Sequence, residues 1–155
     1  MLVAVIAVSA VFAEFDKSKL NINVGQSLSG QYGVSYDFTD KIEAGVNVFT
    51  QWSVPYSVYM AVTEGDPQEL INIVIPAGAA VFAEYKVAEF EHSDLKLGAE
   101  AGYYVIGPFL NANAVFSYHI NENNSVFAKA VLPIPEVTNV VMNIYYGAIG
   151  YSYNF

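Results

Sequence analysis

Between Leu20 and Phe38 the even positions read Leu20, Ile22, Val24, Gln26, Leu28, Gly30, Tyr32, Val34, Tyr36 and Phe38, while the odd ones are all Asn, Gly, Ser, Gln or Asp. Period two is the signature of a strand with one apolar face. Nineteen residues are too many for one membrane-length strand of about 9–11. A hairpin turning near Gly25-Gln26-Ser27 is therefore predicted, with a three-residue connection that preserves the parity. The alternation returns in Ile42, Ala44, Val46, Val48, Thr50 and Trp52, and in Val81, Ala83, Tyr85 and Val87. It returns again in Leu95, Leu97, Ala99, Ala101, Tyr103 and Val105, and in Leu110, Ala112, Ala114, Phe116, Tyr118 and Ile120. Val126, Ala128, Ala130 and Leu132 carry it further, and a last strand within about Val140 to Phe155 carries Ile149, Tyr151, Tyr153 and Phe155.

These make eight predicted strands. The connections at 39–41, 91–94 and 121–124 are short and polar, whereas those at 25–27, 53–77, 106–109 and 133–138 hold all six prolines. Connections that alternate in kind place the prolines on one side of an antiparallel up-and-down barrel. The loop at about 53–77 is the irregular part. A turn at Glu64-Gly65-Asp66-Pro67 would fold Pro55 opposite Pro76 and Gln51 opposite Ala80, and both prolines should break or bend the strands they reach. The loop holds either a protruding hairpin or a short helix, for which Asp66-Pro67-Gln68-Glu69 offers an N-cap and a first-turn proline. Its side chains Tyr56, Tyr59, Met60, Leu70, Ile71 and Ile73 are too apolar to be freely solvated, so the loop is predicted to contact another surface.

Composition then decides which face points outward. Apolar residues make up 54% of the chain and charged ones only 14%, too few to coat a soluble domain of this size. No apolar run reaches the 18–20 residues of a membrane helix. Hydrophobicity spread over alternate positions fits strands that meet lipid, so the fold class expected is all-β, an eight-stranded transmembrane β-barrel. A soluble lipocalin-like binder would need the reverse arrangement, with the apolar face inside. Six lysines, no arginine and fifteen acids give a net charge of −9, which excludes nucleic acid as a partner. There is no cysteine, and no His/Asp/Glu spacing resembles a metal site.

The last stretch, Gly147-Ala148-Ile149-Gly150-Tyr151-Ser152-Tyr153-Asn154-Phe155, resembles the C-terminal strand of bacterial outer-membrane barrels, where an aromatic-rich segment ending in Phe is read by the barrel-assembly machinery. From about residue 14 onward the chain is similar to the small eight-stranded barrels of the OmpA, OmpX and OmpW kind. The resemblance implies a home in the outer membrane of a Gram-negative (diderm) bacterium, contact with outer-membrane lipids and lipopolysaccharide, no cofactor and no enzymatic role. Tyr151, Tyr153, Phe155 and Trp52 would then face lipid. Residues 1–13 resemble the apolar region and cleavage site of a secretory signal, with cleavage after Ala13, although the basic start is missing. The competing reading of that segment is a first buried strand.

With the apolar face outward, the interior receives Asp37, Glu43, Glu84, Lys86, Lys96, Glu100, His119 and Lys129. A small barrel has room inside for side chains or one small ligand, so a paired network is predicted, with Lys86 and Glu100 as partners on adjacent strands. Ser117 and His119 share a face beside Glu100, the residue set of an activated serine. That pair resembles the outer-membrane lipid A deacylases, whose His and Ser sit two apart, although the order here is reversed. A carrier for small hydrophobic molecules, lined by Met142, Ile144 and Tyr146, is a further expectation.

Overall fold

The computed structural model describes residues 16–27, 29–50, 53–65, 68, 76–104, 107–134 and 147–155. A single 3-10 turn at Lys17–Lys19, capped by the Asp16 side chain, leads into the first strand. The strands are β1 (Leu20–Gln26), β2 (Gly30–Thr39), β3 (Ile42–Thr50), β4 (Pro76–Phe90), β5 (Ser93–Tyr104), β6 (Gly107–Asn121), β7 (Asn124–Pro133) and β8 (Gly147–Asn154), and one helix, α1 (Val54–Glu64), stands between β3 and β4. Each strand pairs antiparallel with the next, and β8 pairs back onto β1, which closes an eight-stranded barrel. Closure leaves no free sheet edge.

The period-two alternation survives in the structure with its faces sorted. Ile22, Val34, Val46, Val81, Leu97, Phe116, Val126 and Ile149 lie exposed on the outside. Their odd or even neighbours Ser35, Asn47, Glu84, Glu100, Asn113 and Lys129 are buried inside. The first hairpin keeps this parity as expected, but its three connecting residues are 27–29, since Gln26 pairs with Gly30. At the opposite end the tight turns at 40–41, 91–92 and 122–123 join strand pairs. Leu20 and Phe155 also meet there, the Phe155 N–H donating to the Leu20 carbonyl at 3.1 Å. This end is called the turn end below, and the other the helix end.

The prolines act at the helix end. Pro76 opens β4, Pro108 lies at the start of β6 and Pro133 closes β7. The predicted bend at Pro76 is a register shift, with Phe49 opposite Gly78 but Thr50 opposite Pro76. The fold-back inferred from the sequence is corrected here: Asn47, not Gln51, faces Ala80, and Thr50, not Pro55, faces Pro76. Pro55 belongs instead to the first turn of α1, where its missing N–H costs nothing. The helix begins at Val54; Asp66, Pro67 and Glu69, where the sequence offered a helix start, lie outside the described residues. Ser53 caps it, its Oγ accepting from the Tyr56 N–H at 3.4 Å, and Gly65 ends it in the left-handed region at φ 71°. The sequence signal missed was the Ser-x-Pro opening three residues after Thr50. Trp52, Leu70, Ile71, Ile73, Met142, Ile144, Tyr146 and the segment 1–13 lie outside the described residues.

Candidate functional site

Inside the barrel the side chains form layers. At the helix end Phe49 packs edge-on against Tyr104 (centroids 6.4 Å apart) and Phe109 (6.0 Å), with Ala80, Val131 and Ala148 around them. The Tyr104 hydroxyl donates to the Thr50 carbonyl at 3.4 Å and shares a hydrogen bond with Ser29 Oγ at 3.1 Å, so this apolar layer carries its one phenol satisfied. Aromatic rings packed in that geometry narrow the lumen at this level.

Beneath that plug lies a charged layer. Lys129 Nζ donates to Glu100 Oε2 at 2.5 Å, Asn111 Nδ2 donates to Glu100 Oε1 at 3.1 Å, and the Lys129 ammonium sits 5.8 Å from the Phe82 ring centroid. Toward the turn end Lys96 Nζ donates to Glu43 Oε2 at 2.5 Å, while Ser35 Oγ donates to the other oxygen of Glu43. Asn23 donates to Ser35 at 2.9 Å and Asn21 to Asp37 at 3.1 Å. Buried charges are tolerated only when paired and hydrogen-bonded in this way.

The expected Lys86–Glu100 pair does not form. The register sets Glu100 opposite Phe82 and Lys86 opposite Lys96. Two lysines facing each other across a ladder repel. Lys86 turns to Glu89, 3.4 Å away at the rim, and Lys96 to Glu43. Both lysine–glutamate pairs of the interior skip a strand: Lys96 of β5 reaches Glu43 of β3, and Lys129 of β7 reaches Glu100 of β5. Strand tilt is the reason, because residues at one height of a tilted barrel are displaced along the register. A reading confined to adjacent strands could not find them.

The nearest thing to catalytic machinery is also rearranged. Ser117 and His119 share the inner face, as expected, and Glu100 lies on the next strand, but the three do not meet. His119 Nε2 is 2.8 Å from Asp94 Oδ2, and His119 Nδ1 is 2.9 Å from Ser125 Oγ. Glu100 is held by Lys129 and Asn111 instead. Asp94 and Ser125 were absent from the sequence-derived set because both border turns. The parity of Lys96 and Lys129, carried two and four residues back, marks both as inward.

A cavity of about 380 Å³ lies inside the barrel, bordered by Asp40, Lys41 and Glu122 of the turns and reaching Asn47, Phe82, Glu84, Val115 and Phe127. Among the described residues no group of three or more His, Asp or Glu side chains is placed to hold a metal ion. On the outside of the helix end, α1 buries Ser57, half-buries Tyr56 and Met60, and exposes Val58, Tyr59 and Val62. At the turn end Tyr36 packs edge-on against Phe38 and Tyr153 against Phe155, each pair with centroids 5.2 Å apart. Tyr151 donates its hydroxyl to Asn124. No family model, curated protein or solved structure matches the chain.

Proposed function

We propose that the chain is a small outer-membrane β-barrel of a diderm bacterium, without enzymatic activity, that uses α1 and the connection after it to contact another surface, either the lipopolysaccharide layer or a partner protein. One observation carries the membrane part of this reading. Among the described residues most of the barrel's large apolar side chains lie on its outside, while Glu43, Glu84, Asp94, Glu100 and Lys129 are buried within it. In water that arrangement would expose an apolar belt far larger than the patch of about 300–600 Å² typical of a soluble monomer. Lipid makes the same belt favourable.

The dimensions support it. From Leu110 to Ile120 the outward positions of β6 are apolar or aromatic, and ten strand steps of about 3.3 Å tilted by about 40° span about 25 Å, the height of a lipid-facing band. The exposed aromatics Phe38, Phe90, Tyr118, Tyr153 and Phe155 gather toward the turn end, with Tyr103 toward the helix end, the two levels at which amphipathic rings favour an interface. In this reading the turn end faces the periplasm, the exposed Val58, Tyr59 and Val62 of α1 face outward, and the barrel-assembly machinery reads the last strand. The aromatic plug speaks against a carrier or channel.

Cell fractionation with a heated-versus-unheated gel tests the membrane part: the expected result is outer-membrane recovery with a heat-dependent mobility shift, and a soluble protein without a shift would refute it. Deleting residues 56–75 tests the contact surface. The shortened barrel should keep its mobility shift and lose binding to immobilised lipopolysaccharide or to cells. Undiminished binding by both assays would rule out the loop's role.

A further inference from the structure

Within the lumen the carboxylates outnumber the cations that answer them. Glu43 is taken by Lys96, Glu100 by Lys129 and Asp94 by His119, while Asp37 accepts from Asn21. Lys86 is turned away to Glu89. Glu84 projects from β4 into the same cavity, is 7% exposed, and meets no hydrogen bond or ion pair among the described residues. Lys96 and Lys129 stand in the cavity wall too, but each is held 2.5 Å from a different carboxylate, and Lys19 and Lys41 border the cavity only at the turn end.

The backbone makes room beside this carboxylate. Gly98 of β5 pairs with Glu84 on one side and Asn113 of β6 on the other. A Cβ at Gly98 would collide first with the Ala83 carbonyl oxygen and would also stand 2.7 Å from Glu84 Cγ and 2.8 Å from Asn113 Oδ1. The close backbone approach therefore requires glycine, and the two side chains lie together over it. Asn113 is 6% exposed, and neither atom of its amide has a hydrogen-bond partner; Asn47, 1% exposed in the cavity wall, is in the same position. The second oxygen of Asp94, Oδ1, is unpartnered as well. A buried carboxylate without an ion-pair partner in contact and buried amides without partners are each costly. Glu84, Asn47 and Asp94 stand in the wall of one cavity, and Asn113 Oδ1 lies beside Glu84 over Gly98. A group that carries positive charge and donates hydrogen bonds would satisfy the carboxylate and the amide oxygen together.

We propose that the lumen binds a small organic cation, a primary ammonium on a short alkyl chain, with Glu84 as its counter-ion and Asn113 Oδ1 as a second acceptor. An ammonium offers three donors, which Glu84 and Asn113 accept. Phe82, Val115 and Phe127 in the same cavity wall receive the alkyl part. A divalent metal fits less well, since calcium takes six to eight oxygens and the described residues gather no such set. The cavity is bordered by Asp40, Lys41 and Glu122 of the turns, which makes the turn end the way in. The site depends on the barrel's lumen and not on what surrounds the barrel, so it stands or falls separately from the membrane and surface-contact readings.

The test is calorimetric titration of the full chain, folded in detergent micelles, with n-butylammonium chloride, using n-butanol and sodium chloride as controls. Saturable one-to-one binding is expected for the amine alone, weakened about tenfold or more by Glu84→Gln, which keeps the shape and removes only the charge. Absence of saturation, equal binding by n-butanol, or unchanged affinity in the variant overturns the proposal. Should Glu84→Gln not fold, the side-chain amide resonance of Asn113 in the unaltered protein decides. A shift with n-butylammonium supports the site, and an unmoved resonance overturns it.

Discussion

Lys129 of β7 and Glu100 of β5 meet at 2.5 Å across the intervening strand β6, with 3% and 0% of their side chains exposed. Removing one partner strands a charge in the barrel's interior. Lys129→Met should therefore cost about 3–5 kcal/mol of unfolding free energy. Adding Glu100→Leu to that variant should recover most of the loss, because the pair must offset its own desolvation. Urea unfolding of the micelle-bound barrel measures both, and a double variant no more stable than the single one would argue against the pairing.

That relationship also separates what the sequence discloses from what it hides. Strand number, parity and the alternation of turn types follow from side chains that point to opposite faces every residue, so β2, β3 and β5 to β7 were readable from Leu, Val and Tyr at even spacing. Ion pairing depends on shear, a property of the closed barrel that no single strand carries. Hence Glu100 was correctly placed inside but given Lys86 instead of Lys129. The serine beside His119 was misread for a related reason: Ser117 shares its strand, while Ser125 faces it across the β6–β7 ladder. Two capping signals, at Ser53 and Asp66, compete in one loop; α1 starts from the first, and the second lies outside the described residues.

The His119 cluster gives a sharper contrast. Ser117→Ala should change stability by no more than about 0.5 kcal/mol, since His119 engages other partners. Asp94→Ala should cost about 1–3 kcal/mol, having left the His119 ring without its buried acceptor. Thermal or urea unfolding distinguishes them, and equal effects would mean that Ser117 belongs to the network.

The closing seam between β1 and β8 depends on a glycine pair. Gly25 faces Gly150, and the Phe127 ring lies over both from inside. A methyl group at Gly150 would collide with that ring and with the Val24 carbonyl. Gly150→Ala is expected to destabilise the barrel by about 1–3 kcal/mol and to slow appearance of the heat-modifiable form. Phe127→Leu should relieve only part of the effect, as the carbonyl cannot move aside independently. Full rescue by Phe127→Leu would place the strain in the ring alone.

The outer face of α1 should be separable from the barrel. Val58 and Val62 are both exposed, so Val58→Asp with Val62→Asp is expected to leave unfolding unchanged within about 0.5 kcal/mol. The same pair should weaken binding to an immobilised surface by about tenfold or more, through loss of apolar burial. Surface plasmon resonance on lipopolysaccharide reads this directly, and unaltered binding would remove the helix from the contact.

The reading that the apolar exterior meets lipid is open to one direct measurement. The chain contains no cysteine, so single cysteines at Val46, Val81, Leu97 and Ala128, each exposed on a different strand, can carry a nitroxide label in vesicle-reconstituted protein. Collision rates with oxygen, which concentrates in lipid, and with a water-soluble nickel chelate then report the surroundings of each label. All four positions should collide with oxygen and be shielded from nickel, in contrast to a label at Glu122 in the exposed turn. Nickel collisions at the four strand positions as frequent as at Glu122 would mean that water, not lipid, surrounds the barrel.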